Sequence, residues 1–126
     1  MLFAFIAVGI GAALGAWLRW GFGTWLNPVF PTVPLGTLAA NLVGGYLVGL
    51  AVAYFGQHAH LPAEARLFIV TGFLGGLTTF STFSAEAVNL LLRAQYAWAL
   101  VTITAHLAGS IVMTILGILT VKWLQG

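Results

Sequence analysis

The chain is predicted to be an all-α membrane protein of four transmembrane helices, the third of them broken. Three observations predict this. First, 61% of the 126 residues are hydrophobic and 5% are charged, where an ordinary soluble domain is about 25% charged. Second, mean hydropathy is +1.07; too few polar side chains exist to cover a water-facing surface, and the bilayer is the solvent that suits such a chain. Third, the apolar sequence falls into four stretches separated by short polar or proline-rich punctuation, and four spans of about 20 residues fill the length. No room is left for a soluble catalytic domain. There is no cysteine, so no disulfide or thiol chemistry can be argued. The four basic and two acidic residues form no basic cluster, which excludes nucleic acid as a partner.

Span 1 is expected over residues 2–25. The opening MLFAFIAVGIGAALGAWLRW lacks the basic start of a signal peptide and reads as the first span. Its VGIGAALG has no preceding strand and no acid at the right distance, so it is no dinucleotide loop. The loop NPVFPTVP follows, with three prolines in eight residues, a composition that stops a helix. Span 2 is expected over residues 35–55 and span 4 over 97–123. Between them the loop GQHAHLP carries His58 and His60, read as a solvated pair. Pro62 with Glu64 just inside is a helix start signal. Span 3, residues 63–93, is too long and too interrupted for one simple helix.

Arg19 and Arg93 fall on one side of this layout, and Arg66 and Lys122 on the other. Lys/Arg asymmetry normally orients a helix bundle, and here there is none. Two arrangements fit: a boundary charge or the free N-terminus decides, or copies insert both ways up. In the second case two inverted copies form an antiparallel homodimer, the two-chain counterpart of the inverted repeats in symmetric transporters.

Polar residues inside spans are costly and mark function. Thr37, Asn41, Gly45 and Gly49 recur every four residues on span 2, and Thr102, His106, Ser110 and Thr114 do so on span 4. Residues four apart share a helical face. Each stripe must therefore face the other, another subunit or water, because lipid offers no partners. Glycine pairs such as Gly11/Gly15, Gly45/Gly49 and Gly72/Gly76 read as packing surfaces. Asn41 reads as functional, since an amide has four hydrogen-bonding sites. Arg19 either snorkels to the interface or anchors an anion vestibule. Glu86 is the only acid well inside a span.

The segment GGLTTFSTFS, residues 75–84, is the break. Two glycines and two threonines near mid-membrane invite unwound backbone at residues 75–79. Such backbone is tolerated only when buried in protein or lining a wet cavity. The halves, residues 63–74 and 80–93, are about 18 and 21 Å long and together cross a core of roughly 30 Å. The break exposes carbonyls suited to a cation and N–H groups suited to an anion, with Thr78 or Thr79 capping the second half. Phe80 and Phe83 flank it on one face. Their positive ring edges, the Asn41 amide and nearby hydroxyls are able to replace the hydration shell of a small anion.

GGLTTFSTFSAE, with GTLAANLVGG before it and GAWLRW near the start, closely resembles the Fluc (CrcB) family of fluoride ion channels. The similarity covers essentially the whole chain, and the TTFSTFS run with an upstream Asn is its specific part. The resemblance implies an antiparallel dual-topology homodimer with two pores, built by both subunits, in the bacterial cytoplasmic (inner) membrane. It implies pore-lining Phe80 and Phe83, a key Asn41, and a hydroxyl track that includes Ser81, Ser84, Ser110 and Thr114. Arg19 matches the family's arginine near the end of span 1, and His106 lies where a pore-side residue is expected. It also implies a structural sodium ion at the dimer centre, held by backbone carbonyls that map to Gly75 and Thr78. The implied activity is passive, electrodiffusive fluoride efflux that lowers cytoplasmic fluoride. The alternative is a small proton-coupled cation or drug antiporter of four spans. Such a carrier needs a membrane-embedded acid, for which Glu86 is the one candidate. A non-transporting scaffold would leave Asn41 and the hydroxyl stripes without a task, and no nucleophile–base pair or metal-ligand set suggests an enzyme.

Overall fold

The prolines and the apolar runs divide the chain where the sequence predicts. In the computed structural model, which describes all residues from Met1 to Gly126, helix α1 covers Leu2–Leu26 and α2 covers Leu35–Gln57. Helix α3 occupies residues 63–77 in three continuous pieces: a first turn Ala63–Arg66, a π-helical stretch Leu67–Leu74 and a last turn Gly75–Leu77. Helix α4 covers Phe80–Leu92 and α5 covers Tyr96–Gln125. With α3 and α4 taken together as one span, four helical segments are long and apolar enough to cross a membrane.

Each boundary has a local cause. Pro28 sits in a short 3-10 turn, Asn27–Val29, that ends α1. Pro34 precedes α2 but offers no side-chain cap. Asn27 supplies one across the loop: its Oδ1 accepts from the Gly36 N–H at 2.7 Å and the Thr37 N–H at 3.2 Å, two of the donors that a helix start leaves unpaired. At the far end of α4 the chain closes in a Schellman turn. The Gln95 N–H bonds the Leu90 carbonyl at 2.9 Å and the Ala94 N–H bonds Leu91 at 3.0 Å, which puts Ala94 in the left-handed region at φ 57°, a place usually held by glycine.

Helix α1 packs on α3 and α2 packs along α5, both through glycines. A Cβ on Gly15 would run into the Phe73 carbonyl. One on Gly49 would run into the Thr114 carbonyl, with the Gly117 Cα 3.0 Å away. Backbones approach this closely only where side chains are missing. The small core between the pairs is Ala40, Ala51, Phe55, Leu74 and Leu77.

The break is narrower than the sequence suggests. Only Thr78 and Thr79 leave the helix, at φ/ψ −82°/154° and −149°/119°. Gly75 and Gly76 stay helical. The physical reason lies in α1: a Cβ on Gly76 would strike the Ala12 carbonyl, so that glycine serves contact with α1 rather than unwinding. The π-helical turns of α3 leave no signature in the sequence.

Candidate functional site

The two extended threonines are held by side chains from other spans. Asn41, two turns into α2, grips Thr79 from both sides. Its Oδ1 accepts from the Thr79 N–H at 2.8 Å, and its Nδ2 donates to the Thr79 carbonyl at 3.0 Å. The Nδ2 also lies 2.9 Å from Nδ1 of His106, on α5. Arg19, at the far end of α1, donates from Nε to the Gly76 carbonyl at 3.0 Å, a cation placed at the negative end of α3. The Thr79 hydroxyl accepts from the Thr82 N–H at 3.2 Å and so caps α4.

These contacts redirect helical donors. In an unbroken helix the Thr79 N–H would close on the Gly75 carbonyl, and the Thr82 N–H on the Thr78 carbonyl. The first goes instead to Asn41 and the second to the Thr79 hydroxyl. Gly75 and Thr78 thus lose their helical partners, and no loop or side-chain bond replaces them. Carbonyl oxygens of this kind suit an alkali cation. One chain offers two of them, so a full oxygen shell would need a second copy.

Beside the break lies an open cleft of about 330 Å³ lined by Asn41, Thr78, Thr79, Phe80, Phe83, His106, Ser110 and Thr114, with Gly44, Gly45, Val48, Leu107 and Ile111. Phe80 and Phe83 meet edge to face, with ring centroids 5.6 Å apart and planes at 72°. Phe83 also lies over His106 at 4.6 Å. Phe80 is 77% exposed in the single chain, at the open side of the cleft it helps to line. The Thr114 hydroxyl faces the Ser110 and Gly45 carbonyls at 2.9 and 3.0 Å, so its proton is committed to backbone.

The structure therefore gathers Asn41, Phe80, Phe83, His106, Ser110 and Thr114 in one cleft. Ser81 and Ser84 fall outside it, on an exposed part of α4. Arg19 lies in a second, polar cleft of about 330 Å³ with Thr24, Asn27, Thr37, Thr79 and Thr82. Sequence reasoning gave two neighbours, Thr37 and Thr102, no role of their own, and it did not pair Glu86 with Thr37. The Thr37 hydroxyl donates to Glu86 Oε2 at 2.6 Å. Glu86 Oε1, Thr102 Oγ1 and His106 Nε2 are buried with no partner in the chain. Thr37 and Thr102 belong to the four-residue stripes, which was their only signal.

Comparison with known proteins gives this arrangement a context. The family model described as CrcB-like protein, Camphor Resistance (CrcB), matches residues 6–118. The chain belongs to the CrcB family. Its relatives include a protein of Nitrosospira multiformis named fluoride-specific ion channel FluC, 72% identical over 98% of this chain and 96% of its own length. A protein of the same name from Thiobacillus denitrificans is 59% identical over 97% of this chain and 98% of its own. Another from Pseudomonas putida is 53% identical over 100% of this chain and 99% of its own.

Proposed function

We propose that this multi-pass membrane protein is a fluoride-selective channel that lets the anion leave the cytoplasm passively through the cleft beside the break. The observation that carries the reading is the pairing of an edge-to-face phenyl couple, Phe80 and Phe83, with Asn41, His106 and Ser110 in one cleft. Phenyl edges and hydroxyls stabilise a small anion without a fixed charge in the bilayer. The names of the relatives add fluoride. No energy source is needed: a membrane potential supplies about 2.3 kcal/mol per charge per 100 mV, which drives an anion out of a negative interior.

The active form is an antiparallel, dual-topology homodimer in the bacterial inner membrane. The balanced arginines and lysine support that reading. So does the exposure of the Ser81 and Ser84 face, whose hydroxyls lipid would leave without partners and a second copy would cover. The Gly75 and Thr78 carbonyls of the two copies would hold a sodium ion at the centre. Its contribution is structural, tying two oxygen-lined breaks together. Arg19 holds the Gly76 carbonyl and lends positive charge to the polar cleft through which the anion approaches.

Ion efflux from liposomes loaded with fluoride or with chloride tests the proposal. Fast loss of fluoride without loss of chloride is expected. Phe80→Ala is expected to slow fluoride loss at least tenfold, the scale of about 1.4 kcal/mol at one step. Well-folded protein that releases no fluoride sinks the channel reading.

A further inference from the structure

We propose that His106 is a positioning residue: held as its Nε2–H tautomer, it locks the Asn41 amide and through it the helix break, and acid releases the lock. The proposal rests on the channel reading and deepens it.

The argument starts from the Asn41 amide. Its oxygen accepts from a backbone N–H, at 2.8 Å from Thr79 N. A backbone N–H only donates, so the amide orientation is fixed and the group facing the Thr79 carbonyl is the NH₂. One amide hydrogen goes to that carbonyl. The other points at His106 Nδ1, 2.9 Å away. Nδ1 must therefore accept, and the imidazole proton sits on Nε2. Nε2 has no partner in the chain, and His106 is 3% exposed. The ring is thus held by one hydrogen bond and by the Phe83 ring at 4.6 Å. A second proton has to enter at Nδ1. It would set N–H against N–H and turn the single bond that holds Asn41 from behind into a repulsion. Asn41 then has to turn, and a turned amide no longer matches the donor and acceptor of Thr79.

Few charges surround the ring. On α4, packed against it through Phe83, the one titratable group is Glu86, engaged with the Thr37 hydroxyl. On α2 they are Tyr46, which donates to Thr120 Oγ1 at 2.9 Å, and Tyr54 near the opposite end. On α5 itself they are Tyr96 and Lys122, at its two ends. Arg19 on α1 is occupied at Gly76.

Two measurements on the full-length reconstituted protein test the lock. Nitrogen-15 NMR of labelled histidine, assigned with His106→Gln, is expected to show His106 protonated at Nε2 and bare at Nδ1 near neutral pH. An Nδ1–H tautomer overturns the proposal. Electrical fluoride current across planar bilayers, which neutral HF does not carry, is then followed from about pH 8 down to about pH 4, through and below the usual imidazole range. The wild type is expected to lose current toward acid by about threefold or more, the scale of one hydrogen bond. His106→Gln, whose amide accepts from Asn41 without titrating, is expected to give a flat profile. Equal pH profiles in the two proteins overturn the proposal. A His58→Gln/His60→Gln double variant keeps the test sharp if His106→Gln folds poorly: it is expected to retain the wild-type slope, and a flat profile there moves the acid response to the loop and overturns the proposal. A wild type that carries no fluoride at any pH, with the Nε2–H tautomer present, refutes the channel reading while supporting the lock.

Discussion

Asn41 uses both hydrogens of its amide inside the protein, one on the Thr79 carbonyl and one on His106, while its oxygen accepts from the Thr79 N–H. A residue read from its sequence as an anion donor thus works first as a clamp on the backbone. Ala94 sits at the other extreme, a small exposed residue in a conformation it resists. A left-handed alanine costs about 1 kcal/mol relative to glycine. Ala94→Gly is therefore expected to raise stability by roughly that amount and leave fluoride flux unchanged, as read by thermal unfolding in detergent beside the liposome assay. A fall in stability would mean that the Schellman turn ending α4 is held by more than its two backbone bonds.

At the level of elements, the helices were legible because apolar length and proline placement decide them. The start of α2 at residue 35 and of α3 at residue 63 agrees with the sequence reading, since Pro34 and Pro62 leave little freedom. The stripes on α2 and α5 were legible as well, and they meet, with Gly45 and Gly49 against Ser110, Thr114 and Gly117. The role of Gly75 and Gly76 was not. Two adjacent glycines look alike in sequence, but only their neighbours in space say what each does. Gly76 lies against the Ala12 backbone, while a Cβ on Gly75 would find only the Val70 carbonyl at 3.7 Å. Gly76→Ala is expected to destabilise the fold by about 1–3 kcal/mol through overpacking. Gly75→Ala introduces no clash within one chain. If Gly75→Ala leaves the monomer folded but abolishes dimers on a sizing column, the face at Gly75 belongs to a second copy. Normal dimers would argue against the proposed placement of its carbonyl at a shared centre. The capping of α2 by Asn27 was equally hidden, because the asparagine is eight residues from the helix it caps, and only the folded loop brings it there.

The whole molecule has little interior: 21 of its 126 residues are buried. Outward faces of α1 and α5 carry large apolar side chains, among them Trp17, Leu100 and Leu119, as a bilayer requires. The proposed dual topology rests on two cations toward each side, a balance that a few added charges would tip. Three lysines added to the loop between α2 and α3 are expected to drive nearly all copies into one orientation, read by the accessibility of a tag on that loop. Fluoride flux is expected to fall with them and to return on co-expression with a chain biased the other way. Full flux from a single orientation would rule out the antiparallel assembly.

The clamps on the break come from Arg19 and Asn41, and both lie upstream of it in the chain. A ribosome delivers them in that order. When the third span leaves the translocon, carrying the lowest mean hydropathy of the four at 1.4, the partners for its Gly76 carbonyl and its Thr79 backbone are already in the membrane. The order of residues is in this sense also a schedule, and a permuted chain that began at the third span would have to insert the Gly76 carbonyl and Thr79 with nothing yet there to meet them.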